Sequence, residues 1–223
     1  MTAFEEIRNR ALANKGGKAA LDALMPQHKT AKQLVAVGDD RYLSQMTRCV
    51  FQAGFNWKVI ENKWDGFEEV FHRFDPARCA FLNDEELEAI GRDKRVVRNM
   101  QKIVSVPANA RFILDIAKEH GSFGKFVAGW PSSDLVGLWA VLKKRATRLG
   151  GNSGQYFLRF VGKDAFILAR DTVACLKGAG VVSTDNPTSA RDLAAVQAAF
   201  NAWHEETGLP YGHLSRIASA SIP

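Results

Sequence analysis

Cysteine is scarce in this 223-residue sequence: Cys49, Cys79 and Cys175 are the only three, and no two form a CxxC pair. An odd, widely spaced set excludes a disulfide framework and a cysteine knuckle for metal, and it fits a reduced, cytoplasmic compartment. Long apolar runs are also missing, with nothing near the ~18 residues a membrane span requires. The opening Met1-Thr2-Ala3-Phe4-Glu5-Glu6 is acidic and has no apolar stretch, so no secretory signal is expected and no membrane partner either. There is no internal repeat, no low-complexity tract and no alternating strand pair. With 46% hydrophobic and 24% charged residues the chain is too apolar to be disordered. Its length suits one large domain or two packed lobes.

What is present has a helical period. Tyr42, Met46, Cys49, Val50 and Ala53 form one stripe, and Leu193, Val196, Phe200 and Trp203 form another. Start signals agree. Asp75 precedes Pro76, Asn83 precedes Asp84-Glu85-Glu86, Ser189 stands three residues before Asp192, and Ser132/Ser133 opens the run Leu135–Arg145. Gly38, Gly54, Gly66, Gly121 and Pro131 read as punctuation between about ten helices. The fold class is all-α, taken as a single helical domain over residues 1–223.

Charge is unevenly placed. The net +6 divides into −6 over Glu61–Asp93, five bases without an acid over Lys94–Arg111, and +5 over Pro131–Arg170. Two basic stretches behind an acidic one suggest a one-sided footprint for an anionic partner, with the acidic stretch facing away. Solvated helix faces are the plain alternative.

The basic stretch 131–170 surrounds Leu149-Gly150-Gly151-Asn152-Ser153-Gly154, a turn between the helical runs Leu135–Arg145 and Gln155–Val161. Glycines there allow positive φ and close backbone approach, and the next helix offers unpaired N–H groups, a geometry that suits phosphate. Arg148 and Lys144 flank it. A tight helix–helix turn without a ligand is the competing reading. No Gly-Lys-Ser/Thr follows and no strand precedes, so nucleotide loops of the Walker and Rossmann kinds are excluded.

This turn, with Gln155-Tyr156-Phe157, Lys163-Asp164-Ala165-Phe166 and Arg170-Asp171-Thr172-Val173, resembles the hairpin region of the helix-hairpin-helix DNA glycosylases. A second set resembles the 3-methyladenine DNA glycosylase I family. It comprises Gln52-Ala53-Gly54-Phe55-Asn56-Trp57, Phe67 through Phe74-Asp75-Pro76, Arg98–Ile103, Asn109-Ala110-Arg111 and Leu142–Arg145. Together they span roughly residues 40–180 and imply a helix-hairpin-helix glycosylase-like fold in two packed lobes, with the hairpin near 135–162.

The resemblance implies excision of an alkylated purine from duplex DNA after base flipping. Gly150, Gly151, Asn152, Ser153 and Gly154, with Arg148 and Lys144, would hold the DNA backbone. Trp57 would stack on the extruded base, with Gln52, Cys49 and Tyr156 lining its pocket. Asp171, about twenty residues after the hairpin, would stabilise the developing sugar cation and direct water; it also reads as an N-cap. Asn152 and Ser153 occupy the hairpin positions where lyase relatives carry lysine, so a monofunctional hydrolase is expected. Cys49 stands where the family has a pocket glutamate, and Met1–Asp40 has no Tyr or Trp, which leaves the lesion open. His28, His204 and His213 are too few for the family's Cys/His zinc site, so no zinc and no organic cofactor is expected. The hairpin carbonyls leave room for a monovalent cation. A monomer bound to damaged duplex DNA is the expected assembly. The rival readings are a helix-hairpin-helix DNA-binding protein that has lost its pocket, and an α-helical interaction protein.

Overall fold

Helix signals in the sequence translate into local hydrogen bonds in the computed structural model, which describes residues 4–223. Asp75 Oδ1 accepts from the N–H groups of Ala77 and Arg78, and Pro76 takes the first helical position. Asn83 and Glu86 form a reciprocal capping box at the start of Asp84–Arg92. Ser189 Oγ accepts from Asp192 N at 3.1 Å to open Ala190–Thr207. No strand occurs among the described residues. The described residues form sixteen α-helices and two 3-10 turns rather than about ten helices. The excess comes from pieces such as Pro76–Cys79 and Met100–Ile103, each set off by its own cap.

Three other expectations need correction. Gly66 lies inside the helix Trp64–Val70 instead of ending one. A Cβ there would sit 2.7 Å from the carbonyl oxygen of Arg95, so this glycine permits close packing rather than a break. Ser132 and Ser133 belong to a 3-10 turn, and Asp134 Oδ1 accepts from Gly137 N at 3.1 Å to start Leu135–Arg145. The helix after the glycine turn begins at Asn152, three residues earlier than its apolar pattern suggests.

Two compact units make up the chain. The first comprises residues 1–29, 130–138 and 162–223. Its core stacks Phe166 on Phe200 at 4.1 Å between ring centres and sets Phe4 against Trp203 at 5.3 Å. The N-terminus of Tyr211–Ala220 has no cap of its own; Asp164 supplies one, accepting from Tyr211 N and Gly212 N.

The second unit comprises residues 30–129 and 139–161. It is built around the helix Asp39–Gln52, whose Tyr42, Met46, Cys49 and Val50 are buried as the stripe predicts, whereas Ala53, the last member of the stripe, is exposed at the cap position beyond the helix. The Tyr42 hydroxyl donates to Leu34 O at 2.8 Å. Trp64 stacks on both Phe67 and Phe74. Just before Asp75 the backbone of His72, Arg73 and Phe74 turns left-handed, with φ between 53° and 58°. That conformation costs about 1–2 kcal/mol per non-glycine residue. It is held by full burial of Phe74 and by the Arg41 guanidinium donating to Arg73 O.

Candidate functional site

The second unit carries a cleft of about 290 Å³ lined by Cys49, Gln52, Ala53, Gly54, Trp57, Asn152, Ser153 and Tyr156. Two stretches a hundred residues apart meet here. Cys49 and Gln52 occupy the last turn of Asp39–Gln52, and the chain then reverses at Gly54, whose φ is +67°. Asn56 caps the next helix through Lys58 N at 2.9 Å, which fixes Trp57 as its first residue. The opposite wall is the first turn and a half of Asn152–Val161.

Within the cleft, burial separates floor from rim. Cys49 and Gln52 are 4% and 6% exposed, whereas Trp57 is 47% exposed. The indole meets Tyr156 and Phe160 edge-on at 5.9 and 6.0 Å, so two perpendicular neighbours fix its plane. Burial pushes the Cys49 thiol up to about 11, so it is a neutral, weakly polar wall group rather than a nucleophile. Gln52 Nε2 donates to Glu61 Oε1 at 2.9 Å. Phe55, at the turn between Gly54 and Asn56, is 45% exposed.

A buttress holds the turn Ala53–Asn56 from behind. Lys102 Nζ donates to the carbonyls of Phe51 and Ala53, at 3.1 and 2.7 Å, satisfying the exposed end of Asp39–Gln52. Burial and the charge of Arg148 lower the affinity of Lys102 for its proton.

The glycine turn is shaped by three different constraints. A Cβ on Gly154 would lie 2.3 Å from Leu149 O, so close backbone approach excludes any side chain there. Gly151 has φ of +58°, and Arg148 is left-handed at +63°. Asn109, fully buried, clamps the entry: its Oδ1 accepts from Thr147 N at 2.7 Å and its Nδ2 donates to Thr147 O at 3.1 Å. Arg148 donates twice to Gln101, through Nε to the backbone oxygen and through Nη2 to Oε1.

These contacts revise the charge reading. In the stretch 94–111, Arg95 pairs with Asp93 and Glu69, Lys102 is held by carbonyls, and Arg111 donates to Ala80 O. In 131–170, Arg145 forms a two-point pair with Glu119, and Lys163, in the first unit, is buried against Trp130 O. Much of the local excess therefore neutralises acids or caps helix ends. Lys143 and Lys144 remain exposed beside the turn. Nor does all of the acidic stretch point elsewhere, since Glu61 stands against the cleft floor.

Asp171 belongs to the first unit. It is exposed in the first turn of Arg170–Gly178, and Ala169, not Asp171, occupies the cap position. The sequence reading did not single out Glu61, Asn109 as a clamp, or Phe160 as a rim residue. Nothing in their local pattern marks them, because each role depends on a partner distant in the chain.

This all-helical arrangement, with two helices joined by a glycine turn, is a helix-hairpin-helix DNA glycosylase-like fold. Across 95% of its length the chain is similar to a solved 8-oxoguanine DNA glycosylase of Methanocaldococcus jannaschii, at 16% identity with a TM-score of 0.54 and 89% of that chain covered. Residues 27–146, more than half of the sequence, match the methyladenine glycosylase family, and the chain belongs to that family. It is 32% identical over 76 residues to DNA-3-methyladenine glycosylase 1 of Escherichia coli K12, a match covering 34% of this chain. The match spans 41% of that relative's length. A crystal structure of 3-methyladenine DNA glycosylase I is similar over 56% of this chain and 79% of its own, at 25% identity and a TM-score of 0.50. Among the described residues no helix is long and apolar enough to cross a membrane.

Proposed function

We propose that this chain is a DNA glycosylase of base excision repair, which hydrolyses the N-glycosidic bond of an alkylated purine such as 3-methyladenine. The observation that carries the proposal is the cleft: Trp57, Gln52, Cys49 and Tyr156 converge there beside Asn152 and Ser153 of the glycine turn. At about 290 Å³ it is at the small end of ligand pockets, which suits one planar base rather than a larger cofactor. Family membership and the names of the relatives support the same chemistry.

In this reading the damaged nucleotide leaves the helical stack and its base enters the cleft. Stacking on Trp57 contributes about 1–3 kcal/mol, and a cationic base adds a cation–π term of about 0.5–2 kcal/mol. Exposed Phe55, on the turn that rims the cleft, supplies an apolar group for the gap left in the duplex. The N-terminal turn of Asn152–Val161 and Lys144 hold the backbone without reading sequence. As the bond between base nitrogen and C1′ lengthens, positive charge grows on the sugar, and the Asp171 carboxylate is the group assigned to stabilise it and to orient water. Water adds to C1′ and gives up a proton to the solvent, while the base departs with the bonding pair; an alkylated cationic base needs little help from an acid. No metal or organic cofactor takes part, and the products are free base and an abasic site.

The test is release of free base from methylated duplex DNA by the purified chain, read by chromatography. Trp57→Ala is expected to lower release by roughly 10- to 100-fold through lost stacking, and Asp171→Asn to lower turnover while leaving duplex binding in place. If the native chain binds duplex DNA but releases no base, the non-catalytic DNA-binding reading replaces this one.

A further inference from the structure

Gln52 lines the cleft, and its Oε1, buried, has no hydrogen-bond partner among the described residues. An unpaired buried acceptor of this kind is costly unless a ligand supplies the donor. Its identity as the oxygen follows from its neighbour. Gln52 Nε2 donates to Glu61 Oε1 at 2.9 Å, and a carboxylate only accepts, so the amide NH2 must face Glu61 and the carbonyl must face away. Glu61 is held in turn. Its second oxygen lies 3.5 Å from Arg48 Nη1, and the Arg48 guanidinium rests 4.3 Å over the Trp64 ring.

The remaining liners do not impose a polarity. The hydroxyls of Ser153 and Tyr156 can donate or accept, Asn152 is exposed at the rim, and the Cys49 thiol is a weak donor. We infer that Glu61 is a positioning residue that sets the hydrogen-bond polarity of the cleft. By fixing the Gln52 amide it leaves an acceptor at the floor, which selects alkylated purines bearing an exocyclic amine over those bearing a carbonyl at the same place. This rests on the base-binding reading above. An amine would satisfy Oε1, whereas a carbonyl would bring two acceptors together. A site built around one such hydrogen bond discriminates on the order of 10- to 100-fold.

The test uses the full chain and two free bases, 3-methyladenine and 3-methylhypoxanthine, which differ in the group at position 6 and in the ring N–H that accompanies the oxo form, with affinities from calorimetry. The native chain is expected to prefer the amino base by roughly 10- to 100-fold. Glu61→Gln is nearly isosteric but can both donate and accept, so the Gln52 amide is free to turn over. The preference should then fall to within about 3-fold, largely through tighter binding of the oxo base. Glu61→Ala provides a second variant without a new amide. Release of 3-methyladenine relative to 3-methylguanine from methylated DNA reads the same preference in turnover and should fall with it. A preference that survives both variants, with circular dichroism and Tm showing intact folding, overturns the role of Glu61 alone. If the native chain binds neither base and releases none from DNA, the base-binding reading fails and this inference with it.

Discussion

Alanine at each glycine of the hairpin turn separates three physical reasons for the same residue type. At Gly154 the added methyl would stand 2.3 Å from Leu149 O, a backbone atom that cannot rotate away. Overpacking of this kind costs about 1–3 kcal/mol, while better helix propensity returns about 1 kcal/mol. At 2.3 Å from a backbone atom the clash wins, and Gly154→Ala should lose up to about 2 kcal/mol and displace the turn. At Gly151 nothing lies within 4 Å, but φ is +58°, so alanine there should cost about 1 kcal/mol from backbone strain alone. At Gly150 the nearest atom is Lys143 Cγ at an ordinary 3.5 Å and φ is not left-handed, so Gly150→Ala should fall within about 0.5 kcal/mol of the native chain. Urea unfolding midpoints measure the three costs, and equilibrium binding to duplex DNA measures what happens to the turn. Gly154→Ala should lose most of its binding, Gly151→Ala some, and Gly150→Ala little. If Gly154→Ala is as harmless as Gly150→Ala in both assays, close approach of Leu149 is not what requires glycine, and the reasoning fails.

Other consequences can be measured separately. Lys144 is exposed beside the turn whereas Arg148 is tied to Gln101, so Lys144→Ala should reduce the slope of log affinity for DNA against log salt by about 1. Arg148→Ala should chiefly lower stability, and equal slope changes would refute the distinction. Lys102→Met keeps the aliphatic stem but leaves the carbonyls of Phe51 and Ala53 unpaired; a loss of about 1–3 kcal/mol in urea unfolding, with weakened base release, is expected. Cys49, with its thiol pushed up to about 11 by burial, should resist iodoacetamide at pH 8 in the folded chain. Because the folded thiol holds its proton where the unfolded one loses it, Cys49 also makes stability fall as pH rises from about 9 toward 11. Rapid alkylation at pH 8 would show that the cleft floor is wet.

Local patterns in the sequence determined a good deal. The stripe from Tyr42 to Val50, the caps at Asp75, Asn83 and Ser189, and the glycine turn all act within a few residues, where helical period and unpaired N–H groups dictate the outcome. Gln52, Trp57 and Tyr156 were legible as candidate pocket residues through their place in family motifs, although the three-residue step from Cys49 to Gln52 and the cap at Asn56 had to form before they could line one cleft. Gly66 was misread for the opposite reason: its need for glycine comes from Arg95, a residue in another element, and no local pattern carries that information.

Charge shows the same limit. Counting bases located two positive stretches, yet a count cannot tell a lysine facing DNA from one facing carbonyl oxygens. Lys102, Arg111 and Arg145 are used inside the fold, and only the tertiary structure decided that. It also decided that Glu61, one acid among ten in an acidic stretch, stands against Gln52 and orients its amide. The sequence by itself determined the helical class, the main apolar stripes and their caps, and which residue types gather near the hairpin, because those depend on neighbours three or four positions away. Polarity at the cleft floor depends on one hydrogen bond between the end of one helix and the face of the next, and only folding brings those two atoms within 2.9 Å.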